Sequence, residues 1–223
     1  CSGPAAAMAR PRMGSSLTPD FERIAAARPS MILTSSTPAT RLDGLGALAP
    51  THELAWLTVD DVVTSTRAIG ALADVPRAAG ALAERLEATL TRTPPADGPR
   101  LLLVLGGSAT GSELWYVKTN SLHGAAIAAA GARNAVAEPV SGAPVMSLER
   151  LIALDPDRIV VLGGGEAGAA ATLGALRGVS VLTAVRHDQL GALPDPQLLV
   201  PGPRILELVV ALQHWVADGA ERP

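Results

Sequence analysis

Aromatic side chains make up only 2% of these 223 residues, there is a single cysteine, and Lys118 is the one lysine among eighteen basic residues. One cysteine forms no internal disulfide, so the fold rests on its core. The arginine preference reads as a coding bias more than as chemistry. No apolar run approaches the ~18 residues a membrane-spanning helix needs. With a net charge of -3 and dispersed charges there is no basic footprint for nucleic acid. His52, His123, His187 and His214 stand singly, so no metal site is expected. No G-x-S-x-G elbow and no carboxylate pair appears, which argues against an enzyme. "LGGSATGSE" has P-loop-like glycines but no lysine.

What is present is a core-forming composition, 48% hydrophobic, and a sentence written twice. "TPDFERIAAARPSMILTS" and "SLERLIALDPDRIVVLG" align at Pro29 and Pro156. Leu45–Leu48 and Leu173–Leu176 then share Leu-Gly-Ala-Leu, and each copy continues into another apolar run, "HELAWL" or "VSVLTAV". In the first copy Thr18 and Pro19 read as N-cap and first helical residue. Phe21, Ile24 and Ala25 form an apolar stripe, Pro29 ends the helix, and "SMILTS" is a buried strand. In the second, Ser147 caps, Leu148, Leu151 and Ile152 form the stripe, and "RIVVLG" is the strand. Alternating helices and strands predict parallel sheets, and the duplication predicts two similar lobes with a cleft between them.

Between the copies a helix starts near Asp60 or Asp61 and breaks around Pro76. Beyond it, Leu82, Leu86 and Leu90 recur at helical spacing on one long amphipathic helix. Strands are expected at "RLLLVLGG", "LWYVK" and "NAVAE", with a helix at "SLHGAAIAAAGA". The expected organisation is a reduced N-terminal α/β lobe over 1–74, a connecting backbone helix over 75–98 and a C-terminal α/β lobe over 99–223.

"VVLGGGEAG" offers a different function. Gly163, Gly165 and Gly168 satisfy G-x-G-x-x-G between a strand and a helix, the setting of a dinucleotide site. It lies late in the chain, however, and the acidic ribose partner is not at its usual distance.

The whole arrangement, from about Arg12 onward, resembles the substrate-binding proteins of iron-siderophore and cobalamin ABC importers, the class with two Rossmann-like lobes joined by one long backbone helix. The resemblance is carried by "MGSSLTPDFERIAAARPSMILTS", the helix after Pro76, "SLHGAAIAAAGARNAVAE", "MSLERLIALDPDRIVVL" and "GPRILELVVALQHWV". It implies an α/β fold whose N-terminal lobe lacks the family's opening strand-helix-strand. It also implies an extracytoplasmic, monomeric, non-enzymatic protein that binds a metal chelate in the cleft and delivers it to a permease. Ligand contacts are expected from Ser15, Ser16, Ser35, Ser36 and Thr37 in the first lobe. In the second they are expected from Ser108, Thr110, Trp115, Tyr116, Pro144, Gly164, Arg186 and His187, the last following a strand end. Glu166 and Asp43 would dock on the permease, and Cys1, heading "CSGP", would carry a lipid that is the one membrane attachment.

Where haem-binding relatives carry a tyrosine this chain has Gly14, Ser15 and Ser16. The basic residues for an anionic siderophore are Arg41, Arg186 and Arg204, so a neutral corrinoid such as cobalamin suits the loops somewhat better. The alternatives are an NAD-binding α/β enzyme using the Gly163 loop and a degenerate family member without a ligand.

Overall fold

The computed structural model describes residues 9–15, 18–35, 44–107 and 113–217. Contacts divide the chain into two units, Cys1–Leu57 and Thr58–Pro223. The fold is α/β with parallel sheets.

The first unit holds helix α1 (Phe21–Ala27), strand β1 (Ile32–Ser35), a 3-10 turn (Leu45–Ala47) and strand β2 (Thr51–Leu54). β1 and β2 run parallel, in register from Ile32 opposite Thr51 to Ser35 opposite Leu54. The helix cap falls two residues later than expected: Asp20, not Thr18, accepts the Arg23 N–H at 3.0 Å. Thr18 belongs instead to a tight hairpin, where its hydroxyl lies 2.9 Å from that of Ser15.

The second unit opens with α2 (Val59–Leu72) and α3 (Pro76–Leu90). A reciprocal capping box starts α2, with Asp61 N–H to Thr58 Oγ1 at 3.1 Å and Thr58 N–H to Asp61 Oδ2 at 3.0 Å. Pro76, at the first position of α3, ends one helix and starts the next. The two helices pack on each other through small residues: a Cβ on Gly70 would lie 2.1 Å from that of Ala79. The apolar stripe of α3 is real, with Ala83, Leu86 and Leu90 buried, and the helix stops at Leu90. Both helices belong to the second unit.

The principal sheet comprises β3 (Arg100–Leu105), β5 (Arg133–Asn134), β7 (Arg158–Leu162) and β8 (Leu190–Leu193), all parallel in the order β5-β3-β7-β8. A parallel sheet is covered on both faces, which is why its central strands read as continuous apolar runs. Leu101–Val104 and Ile159–Leu162 are all fully buried. The covering helices are α4 (Leu122–Ala129), α5 (Leu148–Leu154), α6 (Gly165–Arg177), α7 (Thr183–Arg186) and α8 (Ile205–Ala217). A small antiparallel ladder, β4 (Glu113–Trp115) with β6 (Val145–Ser147), flanks the sheet. Gly191 lets α8 lie close: a Cβ there would fall 1.8 Å from the Trp215 ring.

The duplication is structural. Asp20 and Ser147 occupy the same place in the two repeats and cap the same helix; Arg28 (φ 47) and Asp155 (φ 40) close it in the left-handed conformation just before the aligned prolines. Ile32 donates its N–H to Pro50, and its counterpart Ile159 donates to Gln189. β1 with β2 therefore repeats β7 with β8.

One expected strand is a helix. "VSVLTAV" runs into α7, and the strand paired with β7 comes from the following "LGAL". The cause is long-range: the Asp155 carboxylate accepts the Thr183 N–H and hydroxyl, both at 2.7 Å, and so caps a helical turn at that point.

Candidate functional site

In an open parallel sheet the carboxyl ends of the strands present loops and helix N-termini outward, and ligands bind there. In the second unit this rim is continuous across three strands. β3 ends in Gly106–Gly107, β7 in Gly163–Gly165 and β8 in Pro194–Asp195. Gly106 N–H donates to Leu162 O at 2.9 Å, Gly163 N–H to Leu193 O at 2.8 Å and Gly165 N–H to Pro194 O at 3.0 Å. A pocket of about 330 Å³ lies on the β8 side of this rim, lined by Gly165, Glu166, Leu193, Pro194, Asp195 and Leu198 among others.

On the other side of β3, Tyr116 pairs antiparallel with Val104 and Val117 donates to Leu103 O at 2.9 Å. That pairing sets Trp115 level with the end of β3. Strand alternation then separates two neighbours expected to act together. Leu114 and Tyr116 face inward, Tyr116 being 4% exposed in the core cluster with Leu102 and Met146, while Trp115 faces outward at 42%. Tyr116 is a core residue here; Trp115 is the aromatic surface of the rim. Pro144 joins them, its carbonyl accepting the Tyr116 N–H at 2.9 Å.

Arg186 and His187 lie elsewhere. They end α7 and precede β8, so they sit at the amino end of the sheet, where Arg186 donates to Thr183 Oγ1 at 2.9 Å beside Asp155. The expectation that His187 follows a strand end fails because that strand is α7. Arg204 is likewise engaged, holding Glu207 through two bonds of 3.0 and 2.7 Å. This pairing holds the Glu207 carboxyl below its ordinary range. Gly164 does sit on the rim, and Glu166 is exposed in the first turn of α6. In the first unit Ser15 is tied into the Thr18 hairpin and Ser35 ends β1. Cys1, Ser16, Ser36, Thr37, Arg41, Asp43, Ser108 and Thr110 lie outside the described residues.

The Gly163 loop is built for packing. A Cβ on Gly164 would stand 2.6 Å from the Gly106 carbonyl carbon, and one on Gly106 would stand 2.2 Å from Gly163 O. Gly107 N–H reaches both Gly168 O at 3.3 Å and the buried Thr172 hydroxyl at 3.1 Å. The N–H groups of Gly163 and Gly165, which a dinucleotide pyrophosphate would use, already serve the β8 loop.

Two rim features gave no sequence motif. Pro194 and Asp195 become visible only once "LGAL" is placed as a strand. His123, on α4, sits within hydrogen-bond reach of Leu198 O at 3.1 Å and so ties α4 to the 3-10 turn Pro196–Leu199 behind the pocket. Burial pushes its pKa below the ordinary imidazole value, more than the bond to Leu198 raises it.

Comparison with known proteins follows this geometry. The sequence matches the periplasmic binding protein family over residues 1–196. The chain belongs to that family, a family of substrate-binding proteins. No curated protein matches it in sequence. Similar solved structures include the periplasmic heme-binding protein BhuT in complex with two hemes, 25% identical with a TM-score of 0.76 over 98% of this chain and 86% of that one. A periplasmic heme-binding protein from Pseudomonas aeruginosa is also 25% identical, with a TM-score of 0.76 over 96% and 82%. The vitamin B12 binding protein BtuF of Vibrio cholerae is 19% identical, with a TM-score of 0.72 over 98% and 86%, a likeness of fold. Among the described residues no helix is long and apolar enough to cross a membrane.

Proposed function

We propose that this chain is the solute-binding component of an ABC importer and that it binds a weakly charged metal chelate of the corrinoid kind at the carboxyl rim. The observation that carries the reading is the composition of that rim. Trp115 offers an exposed flat apolar surface, while the exposed charged side chains of the described rim are the acids Glu113, Glu166 and Asp195, with the one cation beside them, Arg204, bonded to Glu207 and Gln197. A polyanionic siderophore would meet like charge there. Of the described arginines that could have welcomed it, Arg186 lies at the opposite edge and Arg204 holds the Glu207 carboxylate.

Haem is bound by some similar proteins, and its iron commonly takes a protein axial ligand. Tyr116 points into the core, His187 lies at the amino edge and His123 is engaged with Leu198. A corrinoid brings its own axial nitrogen and asks mainly for shape, apolar contact and a few polar groups. Glu166, at the start of α6, remains the proposed contact to the permease.

Calorimetry of the purified chain against cobalamin, haem, a ferric catecholate and NAD tests this. Saturable heat with cobalamin is expected, weakened about tenfold by Trp115→Ala, the loss of roughly 1.4 kcal/mol of aromatic contact. Heat with the catecholate alone or with NAD alone overturns the reading. Silence toward every chelate from a folded chain would instead support a member of the family that has lost its ligand.

A further inference from the structure

A buried polar side chain holds the carboxyl rim from below. Helix α6 runs from Gly165 to Arg177, and between Glu166 and Arg177 every residue except Thr172 is alanine, glycine or leucine. A β-branched residue supports a helix less well than alanine, and a buried hydroxyl must find partners. Thr172 is 0% exposed, so neither solvent nor a ligand can reach it. The duplication does not call for it either: Gly44 stands before Leu45 in the place that Thr172 holds before Leu173.

The hydroxyl bonds in two directions. It donates to Gly168 O at 2.9 Å, one turn back on its own helix, and accepts the Gly107 N–H at 3.1 Å. The first bond is common for a buried threonine in a helix, and Thr66 on α2 makes it to Val62 O. The second leaves the helix and holds the end of β3. Gly107, in the left-handed conformation at φ +76, is exposed on the rim yet turns its N–H down onto α6, where Gly168 O at 3.3 Å is a second, longer acceptor. A Cβ on Gly107 would meet nothing within 4 Å, so no neighbour wedges it in place. Its position depends on where the N–H is bonded.

Gly106 and Gly107 form the middle of the rim, between Trp115 on one side and the Gly163–Gly165 loop on the other. We infer that Thr172 is a positioning residue for ligand binding: without touching the ligand, its hydroxyl fixes Gly107 and so sets the shape in which the end of β3 meets it. The inference rests on the function proposed above. A rim ordered in advance loses less freedom when the ligand arrives, and a bond buried beneath it gains affinity in that way. The same hydroxyl joins the end of β3 to the helix whose first turn carries Glu166.

The test uses the full chain with Thr172→Val, which keeps the shape and removes the hydroxyl, and Thr172→Ser, which keeps the hydroxyl. Calorimetry against cobalamin should show about fivefold weaker binding in Thr172→Val and most of the affinity regained in Thr172→Ser. Amide exchange at Gly107, measured without ligand, should quicken by about fivefold in the valine variant alone. Leu176→Ala separates positioning from stability. Leu176 is buried one turn farther along α6, away from the rim, so its truncation should lower Tm more than Thr172→Val does and leave the affinity for cobalamin as it was. The inference is overturned, with the proposed function still standing, if Thr172→Val binds cobalamin as tightly as the unsubstituted chain or if serine and valine weaken binding alike. Equal weakening by Leu176→Ala, or unchanged exchange at Gly107 in Thr172→Val, overturns it too. Absence of cobalamin binding by the unsubstituted, folded chain is the failure of the proposed function itself and takes the inference with it.

Discussion

Gly164 and Gly165 are neighbours with the same backbone hand, φ +80 and +66, yet they stand in different surroundings. A Cβ on Gly165 would meet nothing within 4 Å, whereas one on Gly164 would lie 2.6 to 2.8 Å from three backbone atoms of Gly106. Replacing Gly165 by alanine should therefore cost only the left-handed backbone, about 1–2 kcal/mol. Gly164→Ala carries that cost plus roughly 1–3 kcal/mol of overpacking against backbone that cannot turn aside. The total is about 2–5 kcal/mol, a fall in Tm on the order of 10 °C for a chain of this size, against a few degrees for Gly165→Ala. Thermal unfolding followed by circular dichroism measures the pair side by side. Equal losses would refute the claim that the loop is shaped by the close approach of β3 and β7. Intact stability with loss of dinucleotide binding in Gly165→Ala would restore the nucleotide reading.

Asp155→Asn should lower stability by about 1 kcal/mol, since the carboxylate that caps Thr183 is only partly buried and solvent screens its bonds. The Thr183 N–H, then its hydroxyl, hold the Asp155 carboxyl below its ordinary range. Its stabilising effect is therefore full above about pH 3.9 and lost as pH falls through the lowered value, a loss that urea titrations should find reduced in the variant. His123 works in a higher window. Because burial lowers its pKa, the unfolded chain binds the proton more readily, and stability should decline as pH falls from about 6.5 toward the depressed value. His123→Gln, which keeps a donor for Leu198 O, should flatten that decline, and unfolding at pH 7 and pH 5 compares the two.

The repeated helix and strand were legible because their signals are local. A capping side chain, an apolar stripe and a proline after a left-handed residue are written within a dozen positions, and Ser147 and Pro156 act as expected. α7 was not legible, because the group that makes "TAVR" helical is Asp155, 28 residues earlier and adjacent only once β7 is in place. Mistaking that run for a strand carried Arg186 and His187 to the wrong end of the sheet. Tyr116 was readable and missed: in "LWYVK" the alternation of a strand cannot turn Trp115 and Tyr116 to one side. The glycines announced a tight loop, but whether they admit a phosphate or a second strand depends on Gly106, more than fifty residues away in the chain.

Hydrogen exchange of the chain with and without cobalamin tests the carboxyl rim most directly. Protection is expected at Gly106–Gly107, Trp115, Gly163–Glu166 and Pro194–Leu198, with no change at Thr183–Asp188. Protection confined to Thr183–Asp188 would place the ligand at the amino edge and contradict the account.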